Sequence, residues 1–303
     1  MSEPIAYLNG QYVPAVEARL PVSDLGLQGV SVTETVRTFR HRCFRVGQHV
    51  SRLFRSLRYV GFDTVLTEEQ VVEIFEEVVR RNAPLLTEGD DLGVTAFVTG
   101  GLNRSQHRSP GAESSRQPTF CVHSYPLAWD LWAEKYDSGQ HLVIPSIRHL
   151  PVDCLDPKVK HRSRLHWYLA DLEASRVDPR ASALLLDHSG NVTETATGNV
   201  FVVERGAIFT PPSSRVLEGV SRDVVAELAR TLGIPCEERD CQPYHLLSAD
   251  EVWTASTPYC LLPVTRINQQ PIGTGEAGPL YKCMMAAWNE LVGLDIVEQA
   301  RQK

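Results

Sequence analysis

Two α+β domains are the architecture this sequence predicts, on three observations. The chain has 303 residues, enough for one large or two modest domains. Strand patterns and helix patterns come in groups without strict alternation, which argues against a doubly wound sheet. Around residues 125–137 the pattern changes to Pro, Trp and charged residues, which marks an interdomain linker. The expected division is therefore a small N-terminal α+β domain over 1–124 and a larger C-terminal α+β domain over 138–303.

The elements follow in order. Ile5–Leu8 and Gln11–Val13 flank Asn9-Gly10, a dipeptide that supplies the positive φ angles of a tight hairpin turn. Val32–Phe39 and Arg42–Val46 read as strands. From Gln48 to Val60 the apolar residues Val50, Leu53, Phe54, Leu57 and Val60 keep helical spacing, and Val71, Val72, Phe75, Val78 and Val79 do so over Glu68–Asn82. Leu92–Thr99 and Thr119–Ser124 are strands around a polar insert, Gly100–Pro118, too long for a simple hairpin and so a candidate functional loop. The second half predicts strands at His141–Ile147, Ala183–Leu186, Val192–Thr195, Val200–Val203, Ile208–Thr210 and Glu251–Ala255. It predicts helices over Lys160–Ala174, with Leu165, Tyr168, Leu169 and Leu172 on one side, over Val220–Leu232, and over Leu280–Leu291.

Composition excludes several classes of function. Hydrophobic residues make up 43% and charged residues 22%, ordinary for a globular protein. A net charge of -7 without a basic stripe argues against nucleic-acid binding. The seven cysteines form no CxxC pair and no zinc-ligand spacing, so no metal site is expected and reduced thiols are. No apolar run approaches the roughly 20 residues of a membrane span, and the N-terminus has no secretory pattern. A cytoplasmic protein is expected.

Chemistry concentrates in a few places. Lys160 follows an extended segment containing Pro157, a junction where desolvation would lower an amine's pKa and make it nucleophilic. On residues alone Lys158 competes equally, and either lysine could be a solvated surface residue. Glu194 lies in a strand after the turn Asp187–Asn191, as a functional acid or as an exposed strand carboxylate. Gly219-Val220-Ser221 opens a helix, either as a phosphate seat or as an ordinary N-terminus. Arg52, beside inward-facing Leu53, is a phosphate-clamp candidate, and Ser256 and Thr257 end a strand where hydroxyls could meet the same phosphate. An amine to take an aldehyde, an acid to keep a pyridine nitrogen protonated and a phosphate seat together describe a pyridoxal-phosphate site.

The sequence resembles the fold-type IV (class IV) pyridoxal-phosphate aminotransferases, the group of D-amino-acid and branched-chain aminotransferases, R-selective amine transaminases and aminodeoxychorismate lyase. The carriers are Thr33-Glu34-Thr35-Val36-Arg37, His49-Val50-Ser51-Arg52-Leu53, Lys160 with Glu173-Ala174, Val192-Thr193-Glu194 with Gly198-Asn199-Val200-Phe201, and Leu217 to Asp223. The resemblance implies the two-domain D-amino-acid aminotransferase-like fold, with pyridoxal 5'-phosphate in the cleft. It implies a homodimer acting on an amino acid or amine donor and a 2-keto acid acceptor. It implies Lys160 as the Schiff-base lysine, because counting back from Glu173-Ala174 lands on it rather than on Lys158. Glu194 is implied as the partner of the pyridine nitrogen, Arg52, Val220, Ser221 and Thr257 as phosphate contacts, and Asn199 as a neighbour of the cofactor; Gly219 and Ser256 join the cofactor-binding set on the residue reading above.

Substrate choice is less defined. Thr33 replaces the aromatic residue common before the acid of the first motif. Arg37 matches a carboxylate-binding arginine of branched-chain enzymes, while a longer loop with Arg104, Gln106 and His107 replaces the arginine and histidine with which D-amino-acid enzymes trap the substrate carboxylate, either as a substrate clamp or as a solvated loop. The expected function is amino transfer between a small or medium amino acid and a keto acid. The alternatives are a pyruvate-eliminating lyase and a catalytically silent cofactor-binding protein.

Overall fold

The computed structural model describes residues 3–106 and 117–303. The chain divides into two compact units, one comprising 1–127 with 159–164 and the other 128–158 with 165–303.

The first unit is an antiparallel sheet backed by two helices. Its strands are β1 (Ile5–Leu8), β2 (Gln11–Pro14), β3 (Ser31–Phe39), β4 (Arg42–Cys43), β5 (Leu92–Thr99) and β6 (Phe120–Pro126), in the order β2-β1-β6-β5-β3-β4. Asn9 (φ 46°) and Gly10 (φ 94°) make the expected turn between β1 and β2. The helices are α1 (Val46–Val60) and α2 (Glu68–Asn82). Thr67 and Gln70 close a reciprocal capping box at the start of α2, and Arg80 and Arg81 lie in its last turn, where they oppose the helix dipole. Val50, Leu53 and Leu57 of α1 and Val71, Phe75, Val78 and Val79 of α2 pack on Val32, Val36, Val94, Ala96, Val98 and Val122 of the sheet. The strand expected over Arg42–Val46 stops at Cys43, because Arg45 turns left-handed (φ 55°) to begin α1.

The second unit is a barrel with flanking helices. It contains α3 (Lys135–Ser138), β7 (Gln140–Val143), α4 (Leu165–Val177), β8 (Ser182–Leu186), β9 (Val192–Thr195), β10 (Asn199–Glu204), β11 (Ala207–Thr210) and α5 (Val220–Thr231). After these come β12 (Cys236–Glu238), α6 (Pro243–Leu247), β13 (Glu251–Ser256), β14 (Cys260–Ile267), β15 (Gln270–Pro271), α7 (Pro279–Val292) and α8 (Ile296–Arg301). The sheet runs β12-β11-β10-β13-β14-β7-β8-β9, with β15 beside β14. Strand β9 also meets β10 through the pair Glu194–Asn199, which closes six strands into a ring. Leu142, Leu184, Val192, Val200, Val202, Val252, Val264 and Ile267 form its core.

Three features of this unit differ from expectation. Strand β14 was not anticipated, because Pro263 interrupts its apolar run; pairing with β7 begins only at Val264, past the residue that lacks a donor. Strand β7 ends at Val143, ahead of Pro145. Helix α4 begins at Leu165, not at Lys160, and turns inward Trp167, Ala170 and Ala174, which pack on Val143, Ala183 and Leu185. The stripe Leu165, Tyr168, Leu169 and Leu172 is exposed, Leu165 to 70%. Small residues let α4 approach the strands closely, and the large apolar row is left outside.

Candidate active site

In the first unit the candidate residues gather at the start of β3. Strand β4 covers one edge of β3 at Thr38 and Phe39; at Ser31 to Thr33 the lysine segment takes that place. Thr33 N–H donates to the Lys160 carbonyl at 2.8 Å, Arg162 N–H donates to the Ser31 carbonyl at 3.0 Å, and Val32 and His161 form an antiparallel bridge. Ser56 of α1 accepts from Lys160 N–H at 3.4 Å. These bonds fix the backbone of Lys160 in an extended conformation, with its residue half-buried. Lys158 differs: its Nζ pairs with Asp156 at 3.2 Å, and the side chain is 41% exposed.

Beneath β3 lies a buried ionic cluster. Alternation along the strand sends Val32, Glu34 and Val36 toward the helices, and α1 supplies partners for the acid. Arg52 donates to Glu34 through Nε at 2.8 Å and Nη2 at 2.6 Å, and His49 Nδ1 lies 2.9 Å from the same carboxylate. Burial alone would raise the Glu34 pKa; the Arg52 guanidinium and the His49 ring hold it well below the usual carboxylate range. His49 is pushed down by burial, against the pull of Glu34, and the charges of Arg52 and Lys160 push the same way. Arg52, expected as a phosphate clamp, is thus fixed in position by an acid.

The other face of β3 carries Thr33 and Arg37. Arg37 is buried, stacks on the Phe39 ring at 4.0 Å and donates through Nε to the Thr38 carbonyl. Register places Gly93 and then Tyr125 alongside Arg37, and Phe97, His123 and Tyr125 follow one another at ring separations of 6.2 and 6.0 Å. Arg104 lies in the insert, away from strand structure, and His107 lies outside the described residues.

In the second unit the candidates gather at the seam of the barrel. Register shifts between β8 and β9 around Glu194, an irregularity of the kind that re-aims side chains. Glu194 Oε2 accepts from Asn199 Nδ2 and from Leu217 N–H, both at 3.3 Å, and Oε1 faces His149 Nε2 at 3.4 Å. Asn199 Nδ2 also donates to the Leu217 carbonyl at 2.9 Å, tying the strand to the loop before α5. Gly219 caps α5 without any side-chain cap, so the first N–H groups of a 12-residue helix have no side chain drawn onto them. A Cβ at Gly219 would lie 2.1 Å from Asn199 Oδ1, so only glycine fits against the amide. Val220 and Ser221 are buried at this helix start, while Asp223 is exposed and Arg222 turns to Glu238 at 2.7 Å. Ser256 ends β13 next to Ala255, the partner of Asn199, and donates through its hydroxyl to the Thr197 carbonyl; half-buried Thr257 follows.

Sequence reading missed Glu34, His49 and His149 as functional partners. The alternation of β3 could have revealed the first, because an acid on a core-facing position needs buried cations. Nothing in the spacing between His149 and Glu194 signals their contact. Among the described residues no group of His, Cys, Asp or Glu is arranged to hold a metal ion, and no helix is long and apolar enough to cross a membrane.

An α+β chain with an anchored lysine, an ordered strand carboxylate and an uncapped helix start has the donor set of a pyridoxal-phosphate enzyme. The chain belongs to the amino-transferase class IV family, whose pattern matches residues 31–267. It is 30% identical over 290 residues to a putative branched-chain-amino-acid aminotransferase of Methanocaldococcus jannaschii, covering 94% of this chain and 95% of that one. It is 28% identical over 281 residues to D-alanine aminotransferase of Bacillus licheniformis, covering 92% and 94%. It spans about half the length of branched-chain-amino-acid aminotransferase-like protein 1 of Arabidopsis thaliana, to which it is 30% identical. Its fold superposes on a T.th. branched-chain amino acid aminotransferase, solved with pyridoxamine 5'-phosphate, at a TM-score of 0.85 with 27% identity, covering 97% and 95% of the two chains. The fold is fold type IV, and the family's cofactor is pyridoxal 5'-phosphate.

Proposed function

We propose that this chain moves an amino group between a small or medium amino acid, or an amine, and a 2-keto acid, with Lys160 as the lysine that bonds to the cofactor. The observation that carries the proposal is the contrast between the two lysines: Lys160 is half-buried with its carbonyl bonded to β3 at Thr33, and the Lys158 side chain is 41% exposed beside Asp156. Bound pyridoxal phosphate supplies an aldehyde for amine exchange and a protonated ring that draws electron density from the substrate α-carbon.

The residues present fit that group. A carboxylate has about four acceptor positions; three donors occupy Glu194, which leaves one for the proton of a ring nitrogen. The N–H groups of Val220 and Ser221, the glycine at 219 and the hydroxyls of Ser256 and Thr257 suit a phosphate, and Arg52 adds charge in an orientation set by Glu34. Lys160 would hold the cofactor through its amine and, once displaced by the donor amine, would be the base that takes up and gives back a proton. Arg37, on the same face of β3 as Thr33, suits a substrate carboxylate, with Arg104 and His107 of the insert as the other candidates. Asn199 keeps Glu194 and the α5 loop in register.

Support for a homodimer comes from the exposed row Leu165, Tyr168, Leu169 and Leu172, a face that a second copy would cover. Seven scattered cysteines with no CxxC pair suit the cytoplasm.

Borohydride trapping with pyridoxal phosphate, followed by peptide mapping, tests the assignment. Lys160→Ala should abolish both trapping and turnover while Lys158→Ala keeps both; the reverse pattern refutes it. Release of pyruvate without any keto-acid acceptor would replace transfer by elimination.

A further inference from the structure

Glu194 has a neighbour that no sequence motif marks. His149 follows β7 on the segment 144–158 and is almost fully buried. Its backbone N–H donates to the Leu186 carbonyl at 2.9 Å, which locks the residue against the end of β8. Its ring packs edge-on against Trp167 at 5.5 Å and His166 at 6.1 Å, both on α4. That packing leaves the two ring nitrogens facing opposite partners. Nδ1 lies 3.0 Å from the Leu150 carbonyl, and Nε2 lies 3.4 Å from Glu194 Oε1, long for a hydrogen bond and within ion-pair range.

Both partners are acceptors, and neither can donate: one is a peptide carbonyl, the other a carboxylate. A neutral imidazole has one N–H and one lone pair, so either tautomer would set a lone pair against an oxygen. Only the doubly protonated ring satisfies both contacts.

We infer that His149 is a positioning residue carried as an imidazolium, which orients Glu194 from behind so that its remaining acceptor place meets the cofactor's ring nitrogen. The inference rests on the reading of Glu194 above. Charges around the ring agree. Burial disfavours the cation, but the hydrogen bond and charge of Glu194 on β9, the Leu150 carbonyl and the charge of Asp187 after β8 outweigh it and raise the His149 pKa above its ordinary value. Asp187 is itself paired with Arg215, and the ring of His166 faces from α4. The arrangement places a cation behind the acid. Without it, a proton shared between Glu194 and the ring nitrogen would shift toward the carboxylate.

The test uses holoenzyme with 15N-histidine and pyridoxal phosphate labelled with 15N in its ring. At a pH just above the ordinary histidine value both His149 nitrogens should show protonated-type shifts, and in Glu194→Gln the ring should become neutral. His149→Phe keeps the aromatic packing and removes both donors; the cofactor ring nitrogen should then release its proton at a pH at least one unit lower, while borohydride trapping at Lys160 is unchanged. His149→Gln, with an amide that can donate to Glu194, should fall between the two. A neutral His149 in the wild type, or a ring nitrogen that titrates alike in wild type and both variants, overturns the inference. Wild-type protein that traps no cofactor at Lys160 overturns the functional reading first, and is distinguishable because the histidine signals are read independently.

Discussion

Removal of the Glu34 carboxylate gives a sharp test of the physical picture. In Glu34→Ala, Arg52 loses two charge-assisted hydrogen bonds and His49 loses one, and all three side chains are buried. Breaking one partner out of such a pair costs about 3–5 kcal/mol, because a charge stays buried without compensation. At roughly 2–4 °C per kcal/mol, the melting temperature of the apoprotein should drop by roughly 6–20 °C. Glu34→Ala combined with Arg52→Met removes both charges, and should recover much of that loss, since paired removal is far less costly than half of it. Calorimetry on the three apoproteins reads this directly. A single variant that melts within about 1 °C of wild type, or a double variant that falls as far as the sum of the two singles, refutes the reasoning. Loss of cofactor affinity should accompany the single variant, since Arg52 would no longer be oriented.

Other expectations follow from the same geometry. Gly219→Ala pushes a methyl onto Asn199 Oδ1; the cofactor dissociation constant, read by absorbance titration, should rise about tenfold or more, about 1.4 kcal/mol. Since the φ of Gly219 is an ordinary -72°, the damage is steric, and in an Asn199→Ser background the same change should add little. Thr67→Ala breaks the capping box of α2 and should cost about 1 kcal/mol in chemical denaturation, with activity retained. His49 is depressed by burial, so protons bind the unfolded chain first as pH falls below the ordinary histidine range, and stability contributed by its neutral form is lost there. Glu34, depressed further, keeps its contribution until far lower pH. His149 has the opposite sign: its contribution is present below the ordinary histidine value and fades as pH rises through its raised one. The acid-side slope of stability should therefore flatten in His49→Asn relative to wild type.

Much of the fold was legible where local signals agree. Helix α2 spans Glu68–Asn82 as its periodicity requires, because an apolar stripe, a capping box and basic residues in its last turn all point to one helix. The β1–β2 hairpin followed from Asn9-Gly10 for the same reason. Helix α4 shows where local pattern fails. An apolar row predicts amphipathicity but not which face is buried, and in α4 the inward face is Trp167 with alanines. Strand β14 was hidden by Pro263, whose tolerance depends on where its neighbour starts. Of the candidate site, Lys160 and Glu194 were legible because contiguous motifs surround them. His49 and His149 were not, because their roles come from pairings with acids well separated in sequence, on a strand packed against their own element; Glu34 was hinted at only by its core-facing place on β3.

The ring of strands in the second unit closes where β9 turns into β10, with Glu194 opposite Asn199 and Thr195 bonded to Gly198. Whatever occupies the last lone pair of that carboxylate is therefore also gripping the clasp of a cylinder. If Glu194 meets the cofactor as proposed, ligand occupancy and resistance to unfolding should be coupled here. Saturating pyridoxal phosphate at about a hundred times its dissociation constant adds about 2.7 kcal/mol by mass action, and the gain should appear as slowed amide exchange along β9 and β10. On that reading cofactor supply becomes lifetime: starved of the vitamin, the protein should fray first at the β9–β10 pair.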